Sequence, residues 1–310
     1  MSPSPQPAGT RAPAQPAFDF TLPPLPTTLS EALQITRQKD AHRDIRRLVA
    51  IVGKDPVTSA YILKRVNSSY YGLSRKTSQI DRAVHLLGFS EVCNLVIAAG
   101  LKKLAHYQGN AQGHPIYSHV MKTSVATAAY SRLFAEHLYF SSADLAFSAA
   151  LLYQLGRLIL INSFPDQYVP LWWGPGSDPD NGIPIPPSLQ SEKALFGISS
   201  LELTTKTIQK WGLPVEMAFS IRFQEDPMKL TRPYTRLLAL TIASGIAACD
   251  ELYRDPSNDA SASADAPNPD IPAGLAMLAQ DRAIDVQELI TLANDNREKV
   301  KAFVSTILSD

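Results

Sequence analysis

The chain carries six histidines, at positions 42, 85, 106, 114, 119 and 137, and all of them precede residue 138. A metal-dependent hydrolase needs imidazole and carboxylate ligands that converge on a cation and bring the pKa of a bound water toward neutrality. With no imidazole to draw on after residue 137, a complete His-rich centre is hard to assemble. The two cysteines, Cys93 and Cys249, lie in apolar stretches without a C-x-x-C partner or a histidine at ligand spacing, and read as reduced core thiols. No nucleophile elbow, phosphate-cradling glycine loop, dinucleotide-binding turn or paired-histidine zinc helix occurs. Glu225 and Asp226 are adjacent carboxylates, but Pro227 follows them at a helix end, so a solvated turn competes with acid/base work. Arg157 is more telling, because it interrupts an apolar helix. A buried guanidinium there must find partners, either as a hydrogen-bond hub or as a contact for an anion or nucleotide. Lys102-Lys103 with Arg75-Lys76 make either charged surface turns or a small basic face.

The elements that must position these residues are helical. The periodicity of Ile45, Leu48, Val49 and Val52 predicts a helix after Asp44, and Asp55-Pro56 restarts one with a carboxylate cap and proline in the first turn. Ile80, Ala83, Val84 and Leu87 form a stripe stopped at Gly88, and a further helix starts at Ser90-Glu91. His119 to Leu138 and Asp144 to Ile161 read as longer helices, the second apolar nearly all round and therefore central. Ser199-x-x-Glu202 is a capping-box pattern, and Gly212-Leu213-Pro214 ends the helix it opens. Leu237 to Leu252 reads as another buried helix, and Asp285-x-x-Glu288 opens a terminal helix that runs through Ile307. No alternating strand pattern or internal repeat is evident.

Composition narrows the function classes. With 45% apolar and 19% charged residues the chain is globular, and its 310 residues can bury a core without disulfide or metal staples. Lys plus Arg equals Asp plus Glu, at 29 each, so no strong overall field draws it to nucleic acid or an anionic membrane. The apolar stretches near 145–161 and 237–248 are interrupted and fall short of a spanning helix of roughly 20 residues. The first residues, Met1-Ser2-Pro3-Ser4-Pro5, lack the charge and apolar core of a signal peptide. The expectation is a soluble, cytoplasmic protein with no cofactor, no direct nucleic-acid contact and no membrane span. Eight prolines in the first 26 residues make 1–18 an expected disordered tail, and 255–272 an expected mobile linker. Phe164 to Pro187 is equally proline-rich but holds Trp172 and Trp173, which should anchor it to the body.

Four spaced motifs together resemble the HDOD (HD-related output domain) family. They are Leu22-Pro23-Pro24-Leu25-Pro26, Asp55-Pro56, Asn67-Ser68-Ser69-Tyr70-Tyr71-Gly72 and Leu86-Leu87-Gly88. The resemblance covers about residues 20–227 and implies an all-α, multi-helix HDOD/HD-like bundle with a short N-terminal helical subdomain. It divides the chain into 19–108 and 109–227, followed by a helical extension over 228–310. It also implies a bacterial signalling protein, generally non-catalytic although related to HD phosphohydrolases.

The resemblance further implies which positions once held metal. The adjacent His-Asp pair of the HD superfamily is replaced by Tyr153-Gln154, and Thr123 stands where the first histidine is expected, one turn after His119. Further histidine positions fall in Ser199-Ser200-Leu201-Glu202 and Arg222-Phe223-Gln224-Glu225-Asp226-Pro227, without a histidine in either. The expected function is a non-catalytic adaptor acting on a signalling protein partner. Two alternatives stay open: a nucleotide sensor in the relic pocket of Thr123, Tyr153, Gln154 and Arg157, and a divergent phosphohydrolase drawing on Asp144 and His119. Tyr70 and Tyr71 are expected to divide, one ring facing the core and the other forming a partner-binding face with Arg75 and Lys76.

Overall fold

The computed structural model describes residues 27–28, 30–31, 45–72, 76–105, 115–141, 143–173, 184–253 and 273–308. The expected tail at 1–18, the Leu22–Pro26 motif, Arg75 and the 255–272 linker lie outside them. Among the described residues there are helices and turns and no strand, as the all-α expectation required.

Among the described residues, the N-terminal part contains α1 (Ile45–Gly53), α2 (Pro56–Val66), α3 (Ile80–Leu87) and α4 (Phe89–Ala105). Asp55 caps α2 as its sequence suggests, accepting from the backbone N–H of Val57 and Thr58 with Pro56 in the first turn. Gly88 ends α3 at a φ of 82°, a conformation that side chains avoid. After α2, Asn67 ties the chain into a closed turn, donating to Leu63 O and Thr77 O and accepting from Thr77 N. The 3-10 turn Ser69–Tyr71 follows it.

The centre is built on α5 (Pro115–His137), which packs against α6 (Ala143–Leu152) and α12 (Pro233–Tyr253). The helix expected over Asp144 to Ile161 is two helices, with α7 (Leu155–Ser163) starting after a turn at Tyr153-Gln154. Thr204 causes the break to be tolerated: its Oγ1 accepts from Gly156 N at 2.7 Å while donating to Ser200 O at 2.9 Å, with Tyr153 O at 3.4 Å. Together α6 and α7 span 21 residues, long and apolar enough for a bilayer by composition, but 78% of the apolar window is buried inside the bundle. The proline-rich connection continues as α8 (Pro165–Tyr168) and a 3-10 turn ending at Trp172, which is fully buried and anchors it.

Three helices complete the matched region: α9 (Leu189–Phe196), α10 (Ser200–Lys210) and α11 (Val215–Arg222). The capping box at Ser199 and Glu202 is formed in both directions. Beyond α12 lie α13 (Ala273–Arg282), α14 (Val286–Asp295) and α15 (Arg297–Leu308). The single terminal helix expected from Asp285 is therefore broken at Asn296, whose Nδ2 takes the freed carbonyl of Leu292 at 2.9 Å.

One hydrophobic cluster runs from Leu48 through Phe134 and Leu160 to Ile307, so the C-terminal helices share the core of the N-terminal ones. α15 is tied down at both ends. Arg297 Nη2 donates to Leu252 O at 3.1 Å. At the other end Tyr61 OH and Arg65 Nη2 both donate to Ile307 O, at 2.9 and 3.0 Å, and Lys102 Nζ reaches Leu308 O at 3.4 Å. Helix C-termini favour cations, and Arg65 supplies one while only 2% exposed.

Candidate functional site

The polar centre of the bundle is assembled from five elements. From α5 come His119 and Thr123, from the α6–α7 turn Tyr153 and Gln154, from α7 Arg157, from α9 Glu192, and from the 3-10 turn Trp172. Gln154, 3% exposed, donates from Nε2 to Thr123 Oγ1 at 2.8 Å, with Ser124 Oγ at 3.3 Å and Val120 O at 3.4 Å. Its Oε1 accepts from Arg157 Nη1 at 3.2 Å. Arg157 then reaches Pro187 O at 3.5 Å, lies 3.7 Å from a Glu192 oxygen and stacks over Trp172 at 5.5 Å. Glu192 is fully buried and accepts from Tyr168 OH at 2.5 Å and Ser200 N at 2.6 Å. Burial and the Glu192 carboxylate both hold the proton on Tyr168.

Of the four residues expected in the relic pocket, the structure joins Thr123, Gln154 and Arg157 in one chain of hydrogen bonds. Tyr153 turns to other company. Its ring lies near Cys249 and Thr127, and burial raises its pKa. Cys249 is a buried thiol, pushed up to about 12 mainly by desolvation, which agrees with a core role and leaves little thiolate to react.

The donor set does not suit a metal. The amide nitrogen of Gln154 and the guanidinium of Arg157 offer protons, not lone pairs, and the fixed positive charge of Arg157 opposes a second cation. Among the described residues, no group of three or more His, Cys, Asp or Glu side chains is placed to hold an ion. Ser199 and Glu202 cap α10, and Glu202 also meets Lys193 and Arg222 at 3.0 and 3.3 Å. Asp226 pairs with Lys229 at 2.8 Å, and Glu225 is exposed, the arrangement of a solvated turn.

His119 sits edge-on to Trp172, with ring centroids 6.2 Å apart. Burial, followed by the positive fields of Arg157 and Lys122, lowers its pKa from 6.5 to about 4. Between these values the unfolded chain binds a proton that the folded one does not, so stability should fall as pH drops through this window. We expect the loss to be about 2 kcal/mol after allowing for partial exposure. His119→Gln should flatten the difference between urea midpoints measured at about pH 7 and about pH 4.5; an unchanged difference would place the titration elsewhere.

A second feature lies at the junction of the Ser69–Tyr71 turn, α4, α5 and α15, an open groove of about 330 Å³. Its walls include Tyr70, Tyr71, Arg132, Glu136, Lys299 and Phe303. Tyr70 is 39% exposed and packs at right angles to Tyr71, 4.9 Å away, and against Phe303 at 5.4 Å. Tyr71 is half-buried and donates to Glu91 Oε1 at 2.7 Å. Arg132 bridges Glu91 and Glu136 at 2.7 and 2.8 Å. The two tyrosines differ in degree, Tyr70 being the more exposed and Tyr71 the more enclosed. Neither ring belongs to the buried core, because α15 leaves a groove over them and Glu91 offers Tyr71 a polar partner. Lys76 is exposed, and the charges that line the groove come from α4, α5 and α15.

Sequence reasoning missed Glu192, which sits in a polar stretch that reads as a surface turn of helix. It also missed Glu91, Arg132 and Phe303, which meet only through tertiary packing.

The sequence pattern of the HDOD domain family matches residues 22–227. Among solved structures, an HDOD domain protein of unknown function from Geobacter sulfurreducens superposes with a TM-score of 0.68 at 19% identity, covering 93% of this chain and 94% of that one. A protein from Marinobacter aquaeolei VT8, provisionally named for signal transduction, gives 0.67 at 21% identity, over 93% of this chain and 60% of that one. A third, from Shewanella amazonensis SB2B and provisionally named a phosphohydrolase, gives 0.66 at 20% identity, over 92% and 95%. At such identities the likeness is one of fold. The chain spans 40% and 21% of the lengths of two curated relatives, from Treponema pallidum and Bacillus subtilis, both uncharacterized. With the family pattern matching about two thirds of its length and the bundle to match, the chain belongs to the HDOD family.

Proposed function

We propose that this protein is a regulatory module of bacterial signalling that acts by binding a protein partner and does not hydrolyse phosphoesters. The observation that carries this reading is the bond from Gln154 to Thr123, continued to Arg157 and Glu192. Where an HD hydrolase would set ligands around a cation, this chain sets side chains that satisfy one another. The nucleotide-sensor alternative has less support, because Arg157 is already engaged by Gln154, Glu192, Pro187 and Trp172.

The test is elemental analysis of the purified protein together with phosphoester and cyclic-dinucleotide hydrolysis assays in the presence of Mn²⁺, Mg²⁺ or Fe²⁺. No stoichiometric metal and no chelator-sensitive turnover are expected. Stoichiometric metal with turnover abolished by chelation would overturn the reading. A thermal-shift screen with nucleotides tests the alternative, since a ligand of the folded state raises apparent stability.

The groove beside Tyr70 is the surface we assign to the partner, since exposed tyrosines backed by packed rings make good interface anchors. Tyr70→Ala should fold, with a stability loss of about 1 kcal/mol, and should lose most partner capture in pull-downs. Retained capture would move the interface elsewhere.

A further inference from the structure

We infer that the Tyr70 groove takes an extended proline-rich peptide, and that its occupant in this protein is the chain's own segment Arg11–Pro16. The inference rests on the groove being a binding surface, as proposed above, and adds what holds it when no partner is present.

The chemistry of the walls selects for such a peptide. The acceptor Glu91 is consumed inside the protein by Tyr71 OH and Arg132, and Glu136 takes Arg132 Nε. The Tyr70 hydroxyl makes no hydrogen bond among the described residues, and Lys299 Nζ makes one, to Asn296 Oδ1 at 3.3 Å. The inner wall therefore offers donors and ring faces, and the remaining acceptor is the half-exposed Glu136 carboxylate at the rim. A proline-rich strand is the complementary ligand, since each proline removes an N–H while keeping its carbonyl, and the strand's carbonyls have no internal partner. Aromatic-lined grooves bind such segments through their preformed extended helix.

The chain contains one candidate with a matching charge. Arg11-Ala12-Pro13-Ala14-Gln15-Pro16 has two prolines three residues apart, the repeat of the extended helix, in which such a spacing puts two rings on one edge. Arg11 lies just upstream, and Glu136, 52% exposed at the rim, can receive it.

Reach is sufficient. Thr28 is fixed at the start of α2, donating to Asp55 Oδ2 at 3.0 Å. Tyr70 lies just past the other end of α2, whose 11 residues span about 16 Å. The residues between Pro16 and Thr28 can extend over roughly 35 Å, which covers that distance with room to turn.

The experiment uses a fluorescently labelled peptide of residues 9–18 and the full chain in three forms: unaltered, R11E/P13A/P16A, and the same triple variant with Tyr70→Ala. If the tail fills the groove, the triple variant should bind the peptide at least about tenfold more tightly than the unaltered chain, because a tethered competitor has an effective concentration near millimolar. Tyr70→Ala should abolish that gain. Equal affinity for the unaltered chain and the triple variant, no binding to the triple variant, or binding insensitive to Tyr70→Ala would each overturn the inference. Partner capture and hydrolysis are measured separately, so the inference can fail while the proposed function stands.

Discussion

Gly156→Ala should destabilise the protein by about 3 kcal/mol or more, at the upper end of what overpacking costs. A β-carbon at this position would stand 1.9 Å from Ser200 O, 2.7 Å from the Ser200 carbonyl carbon and 2.9 Å from Thr204 Oγ1. The first two are backbone atoms of the opposing helix, so relief requires separating α7 from α10. That separation would also break the 2.7 Å bond from Gly156 N to Thr204 and loosen the turn that presents Gln154. Gly53 supplies the control. Nothing lies within 4 Å of a β-carbon built there, and Gly53→Ala should be neutral or raise stability by up to about 1 kcal/mol through the unfolded state. Urea titrations of the two variants should thus move in opposite directions or leave one unmoved. Equal midpoints for Gly156→Ala and the unaltered protein would refute the close approach of α7 to α10.

Glu192→Ala should cost about 3–5 kcal/mol, the range seen when one member of a buried ionic network is removed. Three groups lose their acceptor at once: the Tyr168 phenol, the guanidinium of Arg157 and the Ser200 N–H at the start of α10. The last also loses an anion placed at a helix N-terminus. Glu192→Gln keeps the volume and one acceptor, and should fall between the two, while Tyr168→Phe deletes a single bond at a cost of about 1–2 kcal/mol. The ordering Ala, then Gln, then Tyr168→Phe in thermal midpoint is the result to look for. Equal midpoints for Glu192→Ala and Tyr168→Phe would mean that Arg157 does not depend on the carboxylate.

What the sequence made legible was chemistry that acts over one turn. Asp55-Pro56, Ser199 with Glu202, and Gly88 form the caps and stops read from them, because each satisfies or frees backbone groups three or four residues away. The break at Tyr153-Gln154 was not legible. The apolar residues on both sides of Gln154 and Arg157 read as one helix from Leu145 to Ile161, and the residue that makes the turn affordable, Thr204, is 48 positions beyond the Gly156 N–H it receives. Asn296 did carry a signal, since asparagine competes for helix carbonyls, but the apolar stripe on either side of it concealed the stop. Thr123 and Gln154 were placed in one pocket by family resemblance alone. Nothing in their types announced that they would bond to each other, and nothing marked Glu192 or Arg65 as buried, because side-chain burial depends on elements remote in the chain.

The attachment of Ile307 to Arg65 and Tyr61 also bears on how the molecule is made. During synthesis, α2 leaves the ribosome long before the residues that complete its surroundings, 242 positions later in the case of Arg65. Until then the guanidinium has no helix end to hold and keeps its water, which opposes consolidation of the first helices around it. The nascent chain should therefore stay protease-sensitive near α2 until residue 307 has left the ribosome.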